Sequence, residues 1–78
     1  MPRKYPVISA DDLLRALGKI GYTVVRRKSS HIRLNGPGEH KVTVPDYKEI
    51  VLGTLASILT RVSQHTRLSI EDILELLD

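Results

Sequence analysis

The sequence predicts an α+β domain: a helix, a three-stranded antiparallel sheet, a second helix, and a short extra helix at the C-terminal end. Three observations carry that expectation. Apolar residues recur at i, i+3, i+4, i+7 in three places, from Leu13 to Ile20, from Leu55 to Val62 and from Ile70 to Leu77, which is the period of a one-sided helix. Between the first two stretches, "HIRLN" and "HKVTVP" alternate polar with apolar, the period of a half-buried strand. The glycine-rich "GPG" at 36–38 separates those two runs and marks a turn. At 78 residues the chain is expected to form one domain over 1–78. It has neither Trp nor Phe, so Leu, Ile and Val must build a modest core.

Each element has its own signals. Residues 1–8 contain Pro2 and Pro6 and read as an extended arm. Ser9 can cap the first helix, with Asp12 three residues on as a short-armed capping box. Asp11 and Asp12 suit the positive end of the helix dipole. Gly21 supplies the stop, because glycine readily takes the left-handed conformation past a helix end. "YTVVRRK" is rich in β-branched residues and reads as the first strand. Pro45 closes the third strand by removing a ladder donor. Gly53 or Thr54 is expected to open the second helix, with a break at about "SQHTRL". Ser69 and Asp72 cap an additional helix over 69–78.

Strand alternation then assigns faces. Ile32, Leu34, Val42 and Val44 point one way and call for cover by both helices. His31, Arg33, Lys41 and Thr43 point the other way. On the first strand, Tyr22 and Val24 are expected in the core, which puts Val25 and Arg27 on the open face with His31. Lys28 and Ser30 stand where the chain turns into the second strand.

Charge and composition narrow the function classes. The net charge is +3, but residues 1–48 hold ten of the twelve Lys and Arg against four acids, while residues 49–78 hold two against five. A basic front with an acidic tail is expected to attract a polyanion. The absence of cysteine excludes disulfides and thiolate metal sites and is compatible with a reducing compartment. No apolar run approaches membrane-span or signal-peptide length, so a soluble, cytoplasmic protein is expected, with no membrane partner.

"KSSHIRL", at 28–34, is the stretch most suggestive of chemistry. A strand histidine on an exposed face can be merely solvated, can bind a metal, can hold a phosphate, or can move a proton. Metal binding is disfavoured, since His40 and His65 show no ligand spacing with His31. A hydrolytic triad is disfavoured too, because neither Ser29 nor Ser30 lies in a nucleophile-elbow pattern. Phosphate chemistry fits better. Lys and Arg can neutralise a phosphodiester while an imidazole exchanges a proton with a sugar hydroxyl. RNA brings its own nucleophile, the 2′-hydroxyl, so one histidine among cations could suffice without cofactor or metal. "GTLASIL", at 53–59, could hold a phosphate on its amides, but plain helix capping is the simpler reading.

"GYTVVRRKSSHIRL" followed by "VTVPDYKEIVLGTLASIL" resembles the HicA, or YcfA-like, family of toxins over about residues 6–62. The resemblance implies a fold like a double-stranded-RNA-binding domain and an endoribonuclease that cuts messenger RNA. It also implies a HicB-like antitoxin partner, with the toxin a monomer when free and part of a hetero-oligomer when masked. The family's key histidine falls on His31, after Ser30. Four positions depart from the family pattern: Ser29 replaces a glycine, Ile32 stands where many members have a second histidine, and Asp46 and Tyr47 follow Val-Pro where many have histidine or arginine. Asp46 would weaken phosphate attraction if it lay near the site.

The preferred expectation is a toxin that cleaves mRNA, with His31 as general acid or base and Lys28, Arg33, Arg27 and Lys41 on phosphates. Ser30 would help by hydrogen bonding, and the products would carry 2′,3′-cyclic phosphates. A non-catalytic RNA-binding module of the same fold is the alternative. It would want a lysine cluster at the start of the final helix, where "GTLASIL" has none. A face that docks only an acidic protein is the third reading.

Overall fold

The computed structural model describes residues 5–77. The order is α1 (Ala10–Ile20), β1 (Thr23–Lys28), β2 (His31–Asn35), β3 (Lys41–Pro45), α2 (Leu52–Thr66) and α3 (Ile70–Leu74). The sheet is antiparallel in the order β1-β2-β3. This is the expected α+β arrangement, with the short third helix in place. Of the expected N-terminal arm, residues 1–4 lie outside the described residues, and 5–8 form neither helix nor strand. The arm is tied down at its inner end, where the Ile50 N–H donates to the Ile8 carbonyl at 2.9 Å and Ile8 is buried.

The first helix starts and stops for the reasons its sequence gives. Ser9 accepts from the Asp12 amide, and the Asp12 carboxylate accepts from the Ser9 amide, so two otherwise orphaned donors are satisfied. These contacts, with Arg15 alongside, hold the Asp12 carboxyl below its usual range. Gly21 ends the helix at φ 109°, a conformation that costs other residues strain. The second helix departs from expectation. It begins at Leu52, one residue before Gly53, behind Val51, which provides no side-chain cap. It runs through Thr66, so the break falls at 67–69, at the C-terminal end of the "SQHTRL" stretch and one residue beyond it. Val51, Leu52 and Gly53 are all exposed, so water can satisfy the first amides.

One layer of helices covers one face of the sheet. Ile32, Leu34, Val42 and Val44 are buried together with Leu13 and Leu17 of α1 and Leu55, Leu59 and Val62 of α2. Ile73 of α3 closes the same cluster. Truncating one of these leucines to alanine is worth about 2–5 kcal/mol, from lost transfer energy plus the cavity left behind. No polar or charged side chain is buried among the described residues. The β2–β3 connection is longer than a tight hairpin and contains a 3₁₀ turn, Pro37–Glu39, instead of a simple Gly-Pro-Gly turn. Gly36 precedes it and lies against the Tyr22 ring so closely that a Cβ would overlap the ring.

Candidate nucleic-acid interface on the open sheet face

The far side of the sheet is left bare. His31 and Arg33 of β2 and Lys41 and Thr43 of β3 are exposed there, alternating with the buried positions. A two-residue turn, Ser29–Ser30, joins β1 to β2 and places Lys28 directly opposite His31. Directly opposed residues share a face, with roughly 5 Å between Cβ atoms. Ser29 takes φ 54°, the left-handed region that short hairpin turns require and glycine adopts at least cost. The glycine of the family pattern at this position thus has a backbone reason, and Ser29 meets the same requirement with some strain.

β1 does not alternate regularly. Its register slips between Val24 and Arg26, where Val25 is the extra residue of a bulge. Val24 pairs with Leu34, Arg26 with Arg33, Arg27 with Ile32, and Lys28 with His31. Arg26 and Lys28 therefore stand on the open face, and Arg27 is turned to the side of buried Ile32. This corrects the expected placement of Val25 and Arg27 beside His31. The cause is a conflict of phase: Tyr22 and Val24 must point to the helices, while the turn requires the even-numbered Lys28 and Arg26 to point away. One extra residue reconciles the two. Tyr22 is buried as expected, but Val24, on the uncovered outer edge of the same side, remains 43% exposed.

Arg26, Lys28, Ser29, His31, Arg33 and Thr43 line a concavity of about 550 Å³. Of the residues singled out in the sequence, His31, Lys28 and Arg33 meet there. Lys41 shares the face but sits opposite Asn35, four residue pairs further from the turn than His31, and does not line the concavity. Ser30 lies in the turn itself, where its carbonyl accepts from the Asp46 amide at 2.8 Å. Arg27 pairs with Asp46 at 3.7 Å on the covered side. Asp46 follows Pro45, the β3 partner of His31, so it points away from the open face. The carboxylate that would have opposed a phosphate is thereby kept from it. Arg26 was missed by simple alternation. Counting back from a two-residue turn would have found it, since Lys28 must then oppose His31 and Arg26 must oppose Arg33.

The other two histidines gather at the opposite end of the sheet. The His40 and His65 rings stack with centroids 4.2 Å apart. The Tyr22 hydroxyl and His40 Nδ1 share a hydrogen bond of 2.8 Å, and His65 Nε2 donates to the Pro37 carbonyl at 2.6 Å. Burial first, then the charges of His65 and Arg61, pull His40 below the usual histidine range, and burial raises the Tyr22 phenol. This cluster fastens the β2–β3 connection to α2. Among the described residues, no three His, Asp or Glu side chains gather as a metal-binding group, and no helix is long and apolar enough to cross a membrane.

Residues 10–63 match the family model described as the HicA toxin of bacterial toxin-antitoxin systems. The match takes in α1, the whole sheet with every residue lining the concavity, and most of α2. No curated protein and no solved structure matches the chain.

Proposed function

From the premise that this chain belongs to the HicA toxin family of bacterial toxin-antitoxin systems, we propose that it is a metal-independent endoribonuclease that cleaves mRNA with His31 as its proton carrier. Membership brings an antitoxin partner, and we take that partner to be HicB-like, masking a cytoplasmic toxin that is monomeric when free. The observation that carries the catalytic reading is the environment of His31. It is exposed, stands opposite Lys28, and shares one concavity with Arg26 and Arg33.

Such an arrangement has a defined chemical use. Histidine ordinarily titrates near neutral pH, so its imidazole can both take and give a proton. In the proposed reaction the ribose 2′-oxygen attacks the adjacent phosphorus, and the bond from phosphorus to the 5′-oxygen breaks. The proton leaves the 2′-hydroxyl and the departing 5′-oxygen gains one, with His31 serving as base or acid in that exchange. The products are a 2′,3′-cyclic phosphate and a 5′-hydroxyl. Charge builds on the phosphoryl oxygens as the 2′-oxygen adds. Lys28 and Arg33 would stabilise it, since preorganised cations act where charge develops. Lys41, further along the face, would meet the strand beyond the reacting nucleotide. Ser30, whose carbonyl is already engaged by Asp46, would act by holding the turn.

The test is RNA cleavage in a chelator with wild type and His31→Ala side by side, with the product ends mapped. Cleavage by wild type that leaves cyclic phosphates, and is lost in the variant, is expected. Equal cleavage by both proteins removes the histidine from the mechanism. Tight RNA binding with no cleavage by wild type would instead favour a non-catalytic RNA-binding module.

A further inference from the structure

Arg26 and Arg33 are direct cross-strand partners on the open face. Like charges at opposed positions work against strand pairing. Neither guanidinium has an ion-pair or hydrogen-bond partner among the described residues. No strand position on this face carries Asp or Glu. The nearby carboxylate, Asp46, is committed to Arg27 on the other side. Two opposed guanidinium groups with nothing to neutralise them imply an anion from outside the chain.

Lys28 and His31 form the next same-face pair toward the turn. The step between the two pairs is two residues along a strand, roughly 7 Å, about one nucleotide of an RNA backbone. All four side chains line the same concavity. We propose that Arg26 and Arg33 form a second phosphate subsite beside the scissile phosphate at Lys28 and His31, so that the site grips two successive phosphodiesters of one RNA strand. The inference rests on the ribonuclease reading above and adds the minimal substrate to it. The planar fork of a guanidinium suits the oxygens of a phosphate, and two forks facing each other can share one. No strand position on the face carries Phe, Tyr or Trp on which a base could stack. The grip is therefore on the backbone, with strong salt dependence and little base preference.

Arg26 and Arg27 give the experiment its control, because removing either changes the formal charge equally, one residue apart. Binding of a fluorescent 2′-O-methyl RNA, which lacks the nucleophile, is measured across a salt series for wild type, Arg26→Ala, Arg33→Ala and Arg27→Ala. Arg26→Ala and Arg33→Ala are each expected to lower the slope of log K against log salt by about 0.7, and Arg27→Ala to leave it unchanged. Arg26→Gln and thermal unfolding of every variant separate a lost contact from a lost fold. In a second arm, a dinucleoside monophosphate is compared with the same molecule carrying one further terminal phosphate. Wild type should favour the latter about tenfold, and Arg26→Ala should lose that preference. An equal slope loss in Arg26→Ala and Arg27→Ala, or none in Arg26→Ala, overturns the subsite. Slopes as expected with no cleavage by wild type would uphold the subsite while ending the ribonuclease reading.

Discussion

The two ends of this small sheet use the same side chain in opposite ways. At one end His31 stands exposed, sharing its concavity with the cations Arg26, Lys28 and Arg33 and with Ser29 and Thr43. At the other, His40 and His65 are stacked on each other and bonded to Tyr22 and Pro37. A ring with a nitrogen hydrogen-bonded to the chain holds the connection in place. A ring whose nitrogens are free can exchange protons with whatever is brought to it. Residue type alone does not separate a fastener from a candidate catalyst; the surroundings do.

The sharpest way to break this contrast is to remove one histidine from each end. His31→Ala is expected to lower RNA cleavage about 10²–10⁴-fold, the usual contribution of a positioned proton carrier. Its thermal midpoint should remain that of wild type, as expected for an exposed residue with no partner among the described residues. A large stability loss in that variant would make His31 a structural residue after all. At the fastened end the largest effect is expected from Gly36→Ala. The new methyl group would overlap the buried Tyr22 ring, costing about 1–3 kcal/mol by overpacking. Denaturant unfolding measures it, and an unperturbed midpoint would mean that the connection can shift without penalty.

Tyr22→Phe is a gentler probe of the same end. It removes the hydroxyl from His40 and should cost about 1 kcal/mol, while cleavage per folded molecule stays unchanged. Stability should also depend on pH through this cluster. Because the folded structure holds His40 below the usual value of 6.5, the unfolded chain binds its proton more readily. The His40 contribution is then complete above about pH 6.5 and is lost as pH falls through the lowered folded value. Denaturation midpoints taken between pH 8 and pH 5 should show the decline, and His40→Gln should flatten it. The smallest expected change is a gain. Ser29→Gly relieves a left-handed serine and should stabilise the hairpin by about 0.5–1 kcal/mol, read by thermal unfolding.

Much of the architecture was legible because its causes are local. Ser9 and Asp12 sit at cap spacing, and the leucines of α1 and α2 repeat at helical period, so both helices could be read from neighbours in sequence. The alternation in β2 and β3 likewise assigned every buried position there. What was not legible depends on residues far apart. The bulge at Val25 carries no glycine or proline to announce it; it follows from the core's demand on Tyr22 and the turn's demand on Lys28 acting on one strand. The start of α2 at Leu52 lacks a capping side chain, so nothing in the local sequence marked it. The stacking of His40 on His65 joins positions 25 residues apart in sequence, beyond the reach of any local pattern. The candidate site was read in outline, with His31, Lys28 and Arg33 together, and misread by one residue at Arg27.

That single extra residue in β1 makes the strand two short pieces with separate masters. The half nearest α1 takes its phase from the hydrophobic interior, and the half nearest Ser29 takes its phase from the hairpin. A change of length or sequence at the tip can therefore exchange one arginine for its neighbour without unseating Tyr22. The cations displayed beside the hairpin and the packing of the interior are thereby set by separate parts of one strand.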